Sequence, residues 1–216
     1  MLDEAQIKLS IRDHYSQGRW RSFSKFRFEL SINGLINMLK YLELQHVKKL
    51  VSDFKRKVLD VGCGRGEILN LIPDADLYGI DISKKMVTLA KKHTCAKISI
   101  GDATKLKFKG DFFDNLICID TLHHLPEKSF SKALSEFVRV TKSGSTVILD
   151  FKNSNNFLIR FLHKRNFNET YYCTDYTFNS IKKILGKHNL EVVHRYGVLA
   201  PSIIAPYVIL ECLNVK

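Results

Sequence analysis

Short apolar runs alternate with amphipathic segments through the centre of this chain, and this alternation restricts its possible folds more than any other feature. The apolar runs are Lys57–Gly62, Leu77–Ile82, Lys97–Asp102, Asn115–Asp120 and Ser145–Phe151. Helical patterns lie between most of them, at Glu67–Ile72, Lys84–His93 and Ser129–Thr141. Strands that alternate with helices form crossover units, in which helices cover both faces of a parallel sheet. The sequence therefore predicts an α/β fold.

The alternation ends after residue 151. The segment 152–175 is polar and aromatic, which predicts an insertion with a short helix at about 157–163. A helix at Phe178–His188 and strands at Leu190–Gly197 and Pro206–Leu213 are predicted to follow. The connection between these strands is too short for a parallel crossover, so an antiparallel hairpin is expected.

Composition excludes several classes of protein. The 216 residues suit one ordinary domain, and a hydrophobic content of 45% excludes a disordered chain. There is no apolar run of about 18 residues, so no membrane span is expected, and the acidic start at residues 1–4 does not resemble a signal peptide. Five widely spaced cysteines without a C-x-x-C motif indicate reduced thiols in a cytoplasmic protein.

The net charge of +12 is unevenly distributed. Residues 1–56 and 151–216 each carry +5, whereas residues 57–150 carry only +2. The basic excess therefore belongs to the flanks of the α/β pattern. Basic flanks with interleaved aromatics are compatible with RNA as a partner, and equally with an anionic small molecule.

A glycine-rich turn follows the first predicted strand, in the sequence VLDVGCGRGEIL at 58–69. Glycines allow a sharp turn and a close approach of the backbone to a ligand. The acidic Asp60 before the turn would repel a pyrophosphate but suits an ammonium or sulfonium group. The spacing G-x-G-x-G also differs from the dinucleotide-binding pattern, and the G-K-[ST] ending of a P-loop is missing.

Two further carboxylates end the second and third predicted strands. Asp81 lies about twenty residues beyond the glycines, where a carboxylate can accept hydrogen bonds from ribose hydroxyls. Asp102 ends the next strand, where it could accept from an adenine amino group. Carboxylates at the ends of three neighbouring strands around one glycine loop indicate a nucleoside pocket without a phosphate site.

These motifs resemble those of the class I S-adenosylmethionine-dependent methyltransferase superfamily. The matching stretches between residues 57 and 151 are VLDVGCGRGEIL, GIDIS, GDAT, FDNLICIDTLHHLP and STVILDF. The resemblance implies a Rossmann-like three-layer sandwich whose seven-stranded, mostly parallel sheet has its last strand antiparallel. It also implies S-adenosylmethionine as the cofactor.

The resemblance further implies how the cofactor is held. The three glycines would lie along its methionine portion, with Asp60 near the amino group, Asp81 on the ribose and Asp102 on the adenine amino group. Ile82 would pack on the adenine. The expected cofactor site comprises Asp60, Gly62, Cys63, Gly64, Gly66, Asp81, Ile82, Asp102, Ala103 and Asp120.

The residues after the fourth strand are candidates for proton transfer. His123, His124 and Asp120 could each act as a general base toward an acceptor hydroxyl or amine, because an imidazole titrates near neutrality. Alternatively, one histidine faces solvent while the other packs the Leu122–Pro126 segment. No further ligands lie at zinc spacing, so no metal site is expected.

Acceptor binding is expected at the two basic flanks. This superfamily often has a lid ahead of its core, so residues 1–56 are predicted to be a helical lid on a methyltransferase domain at 57–216. The candidate acceptor-binding residues are Tyr15, Arg19, Trp20, Arg21 and, in the insertion, Arg160. Alternatively, the N-terminal aromatics pack on the sheet edge and the insertion is a solvated basic loop.

Three functions remain open at this point. The chain length and the absence of a recognisable RNA-binding module favour methylation of a small molecule such as a lipid, sugar or secondary metabolite. The basic flanks favour an RNA methyltransferase that acts on tRNA or rRNA. The third possibility is a non-catalytic cofactor-binding subunit with a Rossmann-like fold, although a chain that does not bind the cofactor would have no reason to keep every cofactor contact.

Overall fold

The computed structural model describes residues 4–16, 32–157, 160, 174, 176–202 and 204–216. The strands are β1 (Arg56–Val61), β2 (Ala75–Asp81), β3 (Lys97–Ile100), β4 (Phe113–Cys118), β5 (Thr141–Lys152), β6 (Leu190–Gly197) and β7 (Tyr207–Asn214). The α-helices are α1 (Glu4–Ser16), α2 (Ile32–Val51), α3 (Lys84–His93), α4 (Glu127–Val140) and α5 (Phe178–Lys187). Two 3₁₀ turns, η1 (Leu69–Leu71) and η2 (Leu122–His124), follow β1 and β4.

The strands form one seven-stranded sheet in the order β3-β2-β1-β4-β5-β7-β6. The pairs among β1 to β5 are all parallel. Strand β7 is antiparallel to both of its neighbours, β5 and β6. The structure confirms the predicted Rossmann-like sheet and its C-terminal hairpin.

Alternating side chains of the strands build two separate core layers. On one face, Leu59 and Leu116 belong to a cluster that includes residues of α4 and α5. On the other face, the adjacent residues Val58 and Ile117 belong to a cluster that includes Leu39 and other residues of α2. A period of two in the strands therefore produces the three layers of the sandwich.

The helix predicted at Glu67–Ile72 does not form. Only the single 3₁₀ turn η1 is present, at Leu69–Leu71. Ile72 already has an extended backbone (φ −106°, ψ 104°), as expected for the residue before a proline, here Pro73. The prediction was wrong because Pro73 leaves too few residues after the glycine turn to propagate a helix.

The other predicted elements that lie within the described residues agree closely with the observed ones, whereas most of the short helix predicted at about 157–163 lies outside those residues. Helix α3 and strand β6 have the predicted bounds, and α4 begins two residues before the predicted Ser129. Thr177 caps α5 by accepting a hydrogen bond from the Ser180 N–H group at 3.2 Å. Among the described residues, no helix has the length and apolar character needed to span a membrane.

Candidate active site

The glycine turn after β1 is attached to the end of β2. The Gly62 and Cys63 N–H groups both donate to the Ile80 carbonyl, at 2.8 and 2.9 Å. Gly62 has φ +78°, and a Cβ built on it would lie 2.0 Å from Thr121 Oγ1. A side chain at this position would therefore combine backbone strain with a steric clash.

Two carboxylates are buried beside this turn. Asp81 accepts hydrogen bonds from the Gly64 N–H group at 3.0 Å and the Ser83 N–H group at 2.8 Å, so it braces the turn. Asp60 is 2% exposed, and its Oδ2 accepts no hydrogen bond from any described residue. Burial, with the nearby Asp81 charge, raises the pKa of Asp60 to about 8. Among the described residues, no cation offsets this rise in the pKa of Asp60.

Asp102, after β3, is bound by the N-terminal helix. Lys8 Nζ of α1 donates to Asp102 Oδ2 at 2.8 Å and to Thr104 Oγ1 at 2.9 Å. The Thr104 N–H and hydroxyl groups donate to Asp102 Oδ1, both at 2.8 Å. Burial raises the pKa of Asp102, but these hydrogen bonds outweigh burial and hold the pKa below its usual range. Asp102 is therefore an ionised acceptor.

One pocket joins most of the predicted cofactor residues. Its lining includes Gly62, Cys63, Gly64, Asp81, Ile82, Asp102, Ala103 and Asp120. Asp60 and Gly66 are not part of the lining: Asp60 is buried in β1, and a Cβ on Gly66 would face Thr94. The pocket thus runs along the carboxyl ends of β3, β2, β1 and β4, where ligands bind in open α/β sheets.

A buried cluster of charges forms the β4 end of this pocket. Lys40 Nζ of α2 lies 2.7 Å from Asp120 Oδ1 and 2.9 Å from Glu43 Oε2. The Asp120 N–H group donates to Asp150 Oδ1 at 2.7 Å. Burial would lower the pKa of Lys40, but Asp120 and Glu43 raise it well above its ordinary value. Lys40 is therefore an ammonium ion.

The carboxylates of this cluster differ in protonation. Burial raises the pKa of Asp120, but the Lys40 charge outweighs it and the net pKa lies below the usual range. Burial raises the pKa of Glu43, and burial with the Glu43 charge raises that of Asp150. Asp120 is therefore the anionic partner of Lys40, while Glu43 and Asp150 tend to hold protons.

The two histidines after β4 are both buried, and their ring centroids lie 4.0 Å apart. His123 Nε2 lies 3.4 Å from Asp120 Oδ1, whereas His124 lines the pocket. Asp120 has φ +54°, an unusual backbone conformation that turns the chain from β4 into η2. Of the two imidazoles, only His124 belongs to the pocket lining, so it has the better access to a ligand.

Asp120, His123 and Asp150 each have a possible metal-ligand atom, and these atoms lie within 4.8 Å of one another. The ammonium of Lys40 already lies 2.7 Å from Asp120 Oδ1, so a cation is present in this group. The expectation from the sequence that the chain has no metal site stays a prediction.

The predicted acceptor residues are mostly beyond the described part of the chain. Arg19, Trp20 and Arg21 lie outside it, and Tyr15 lies in α1 without a described side chain. Arg160 is exposed, and its N–H group donates to the Asn156 carbonyl at 3.1 Å. Only Tyr15 and Arg160 lie within the described residues, so the role of all five stays a prediction.

Sequence reasoning missed the contribution of the N-terminal helices to the pocket. Lys8, Lys40 and Glu43 line it, and Asp150 supports it from β5. The spacing of Lys40 and Glu43 at i and i+3 also occurs in solvent-exposed ion pairs, so it contains no distinctive signal. Their role follows only from the packing of α2 against the sheet.

The fold and pocket define a class I methyltransferase architecture. The structure superposes with a TM-score of 0.75 on magnesium protoporphyrin IX methyltransferase from Synechocystis PCC 6803, crystallised with bound S-adenosylhomocysteine. The identity is 23%, and the match covers 96% of this chain and 99% of that one. Residues 59–149 match the family described as "Methyltransferase domain". The segment 59–149, less than half of the chain, thus resembles the class I S-adenosylmethionine-dependent methyltransferase superfamily.

Curated relatives differ in their acceptors. A tRNA (carboxymethyluridine(34)-5-O)-methyltransferase from Arabidopsis thaliana is 37% identical over 93 residues, 43% of this chain and 23% of that protein. A ubiquinone biosynthesis O-methyltransferase from Dechloromonas aromatica is 28% identical over 165 residues, 72% of this chain and 66% of that protein. The chain thus spans less than two thirds of the length of either relative.

Proposed function

We propose that this chain binds S-adenosylmethionine and transfers its methyl group to a small-molecule acceptor by in-line displacement. The main support is the single pocket that joins Asp102, Asp81, the glycine turn and Asp120. Asp102 and Asp81 offer carboxylate acceptors for the adenine amino group and the ribose hydroxyls of an adenosine, and the glycine turn lies beside them in the same pocket.

The cofactor, when bound, supplies both the methyl group and the leaving group of the reaction. The chain's own task is then to orient the two reactants. Asp81 would hold the ribose and Asp102 the adenine amino group, next to Ile82 and Ala103 in the pocket lining. Asp60 is buried, and no described residue donates a hydrogen bond to its Oδ2, so it would attract the positive end of the methionine portion.

Methylation of a hydroxyl or amine releases one proton, which a base must accept. His124 and Asp120 both line the pocket at its β4 end and are the proposed bases. His123 contacts Asp120 without lining the pocket, so its proposed role is to position Asp120. In this proposed reaction, the acceptor oxygen or nitrogen would form a bond to the methyl carbon, and the bond between that carbon and the cofactor sulfur would break.

The N-terminal segment 1–56 is proposed to act as a lid on the domain at 57–216. Lys8 of α1 reaches Asp102, and Lys40 of α2 reaches Asp120, so each helix contributes a cation to one end of the pocket. Both helices therefore enclose the proposed cofactor site.

A small molecule is the proposed acceptor because the β4 end of the pocket has apolar walls. Leu44 and Val47 of α2 line it together with Ile119 and Leu125. Such walls fit a compact apolar body with one nucleophilic group.

A cytoplasmic location is proposed because the described cysteines are free thiols, as in a reducing compartment.

RNA is the second candidate acceptor. It is favoured by the two flanks of +5 charge and by the 37% identity to the Arabidopsis tRNA methyltransferase. RNA binding by phosphate contacts weakens steeply as salt rises, because counterions are released.

One labelling experiment separates the two candidates. The full chain is incubated with methyl-labelled S-adenosylmethionine and with either purified total RNA or an RNA-free extract of small metabolites. Label in a small organic product is expected. Label in RNA, together with salt-sensitive RNA retention, would favour the second candidate, and label in neither fraction would oppose both.

A further inference from the structure

One stretch of the central domain is much more basic than the domain's total charge indicates. Residues 84–109 contain eight lysines and one acidic residue, Asp102, and so carry a net charge of +7. The other residues between 57 and 150 carry −5, so the two parts nearly cancel. Asp102 is already paired with Lys8 of α1 at 2.8 Å, and the eight lysines are all exposed. The central domain therefore has a concentrated positive charge on its surface.

Four of these lysines form the solvent-facing side of α3. The pairs Lys84–Lys85 and Lys91–Lys92 lie close to two helical turns apart, so they share one face. The first pair lies in the first turn, which contains no acidic residue, and the helix macrodipole disfavours cations there. The stability of α3 therefore does not account for this pair. The opposite face of α3 is buried and contains Met86, Val87 and Ala90.

Three more lysines lie in the segment between β3 and β4, beside two apolar residues. Leu106 and Phe108 pack in the core cluster that includes residues of α4. Arg139 of α4 donates to the Leu106 carbonyl at 2.9 Å and to the Phe108 carbonyl at 2.8 Å. Glu136 accepts a hydrogen bond from the Leu106 N–H group at 2.6 Å. The backbone attached to α4 in this way carries three exposed lysines, Lys105, Lys107 and Lys109.

Both groups of lysines border the strand β3, which is the terminal strand of the sheet. Helix α3 shares a buried cluster with Ile98 on one face of β3. Leu106 belongs to the cluster on the opposite face of the sheet. Lys97 lies on β3 itself and pairs with Asp76 at 2.7 Å. The lysines therefore surround one edge of the sheet from both faces.

We propose that this lysine surface, formed by α3, β3 and residues 105–109, binds the phosphate backbone of RNA. A lysine ammonium binds phosphate as a point charge. Residues 84–109 contain no arginine, the side chain that most often reads bases through two hydrogen bonds. The surface therefore suits backbone contacts, which position a nucleic acid without reading its sequence. A flexible single strand can follow the edge of the sheet and reach lysines on both faces.

Two other anionic partners fit this surface less well. Interfaces between proteins are depleted in lysine, whereas nucleic-acid interfaces are strongly positive. Helices that bind anionic membranes insert an apolar face, but the apolar face of α3 is buried against the sheet. The inference goes beyond the proposed methyl transfer, because docking requires neither cofactor nor catalysis. It also gives the second candidate acceptor a binding surface outside the two flanks of +5 charge.

Three triple variants with the same loss of charge test the proposal. The α3 variant combines Lys84→Gln, Lys91→Gln and Lys92→Gln. The 105–109 variant combines Lys105→Gln, Lys107→Gln and Lys109→Gln. The matched control changes exposed lysines of α5, in the basic C-terminal flank, by Lys182→Gln, Lys183→Gln and Lys187→Gln. Each full-length chain is titrated against a labelled single-stranded RNA oligonucleotide by fluorescence anisotropy, without cofactor.

At about 50 mM salt, the α3 and 105–109 variants should each lose at least tenfold in RNA affinity, and the control should stay within about twofold. The slope of log affinity against log salt should become shallower by about 2 in each lysine-surface variant, because each phosphate contact of a single strand contributes about 0.7. Thermal melts check folding, and if one of these two variants does not fold, the other carries the test.

Equal losses in all three variants, or no RNA binding by the wild type at this salt, would overturn the proposal. Tighter binding of polyglutamate or of phosphatidylserine vesicles than of RNA would also overturn it, in favour of an acidic protein or a membrane. Neither result would affect the proposed methyl transfer to a small molecule, which cofactor titration and labelling test separately.

Discussion

Lys8 Nζ and Asp102 Oδ2 lie 2.8 Å apart, although 94 positions separate the two residues in the chain. Their side chains are 22% and 33% exposed, so the ion pair is only partly screened by solvent. It attaches α1 to the end of the pocket where adenine is proposed to bind.

Removal of this contact should loosen α1 without unfolding the sheet. In Lys8→Met, amide hydrogen exchange of residues 4–16 is expected to accelerate about threefold to fivefold. This corresponds to a decrease of about 1 kcal/mol or less in the free energy of local opening of α1. Arg12→Met is the control, because Arg12 lies in the same helix and its ion pair with the adjacent Asp13 is exposed to solvent. Equal acceleration in both variants would show that the Lys8 contact has no special role.

Asp60 predicts a pH dependence of both stability and binding. Its folded-state pKa of about 8 lies above the ordinary value of 3.8. Its contribution to stability is therefore fully present below pH 3.8 and is lost as the pH rises through about 8. Asp60→Asn cannot ionise, so its melting temperature should exceed that of the wild type by a margin that grows between about pH 4 and pH 8 and is constant at higher pH.

The affinity for the ligand should have the opposite pH dependence to the stability. A ligand ammonium favours ionised Asp60, so wild-type affinity for S-adenosylhomocysteine should rise with pH between 6 and 8, with proton release on binding. Titration in buffers of different ionisation enthalpy measures that proton. Asp60→Asn should bind more weakly and without this pH dependence, and an identical pH profile in the variant would contradict the assignment.

Gly62 and Gly64 form a matched pair for the glycine turn. Both have positive φ, but a Cβ on Gly62 would lie 2.0 Å from Thr121 Oγ1, whereas a Cβ on Gly64 would have nothing within 4 Å. Gly62→Ala should therefore lower the melting temperature and S-adenosylhomocysteine affinity more than Gly64→Ala does. Equal effects in thermal melts and titrations would indicate that backbone strain alone matters at this turn.

His124 should matter for turnover more than for cofactor binding. With an acceptor from the labelling experiment, His124→Ala is expected to reduce the rate at least tenfold and to leave S-adenosylhomocysteine affinity within about twofold. The acidic limb of the pH–rate profile should also change if His124 is the base. An unchanged rate and profile in both His124→Ala and His123→Ala would exclude the histidines and leave Asp120 as the proposed base.

The sequence was sufficient to predict the sheet and most of the pocket for a physical reason. Buried parallel strands are nearly continuous apolar runs, and the polar residues at their carboxyl ends therefore stand out, as Asp81 and Asp102 do. The C-terminal hairpin also followed from a short connection. These features depend on local spacing, which a single sequence displays directly.

The pocket residues that sequence reasoning missed depend on contacts between distant segments of the chain. Lys40 and Asp120 are 80 positions apart, and the pattern of α2 does not reveal that Lys40 is 7% exposed and paired across the pocket. The sequence around Lys8 likewise does not indicate that Lys8 lines the pocket and pairs with Asp102. The missing helix after the glycine turn has a local cause, because Pro73 limits the segment to the single turn η1.

Direct titration of the full chain with S-adenosylhomocysteine is the measurement that bears most directly on the proposed function. Saturable binding of about one ligand per chain is expected, with a dissociation constant in the range of roughly 1 μM to 1 mM that is typical of enzyme ligands. S-adenosylmethionine should compete with S-adenosylhomocysteine for the same site. No binding of either compound to the folded chain at about 1 mM would contradict the cofactor assignment and the proposed methyl transfer.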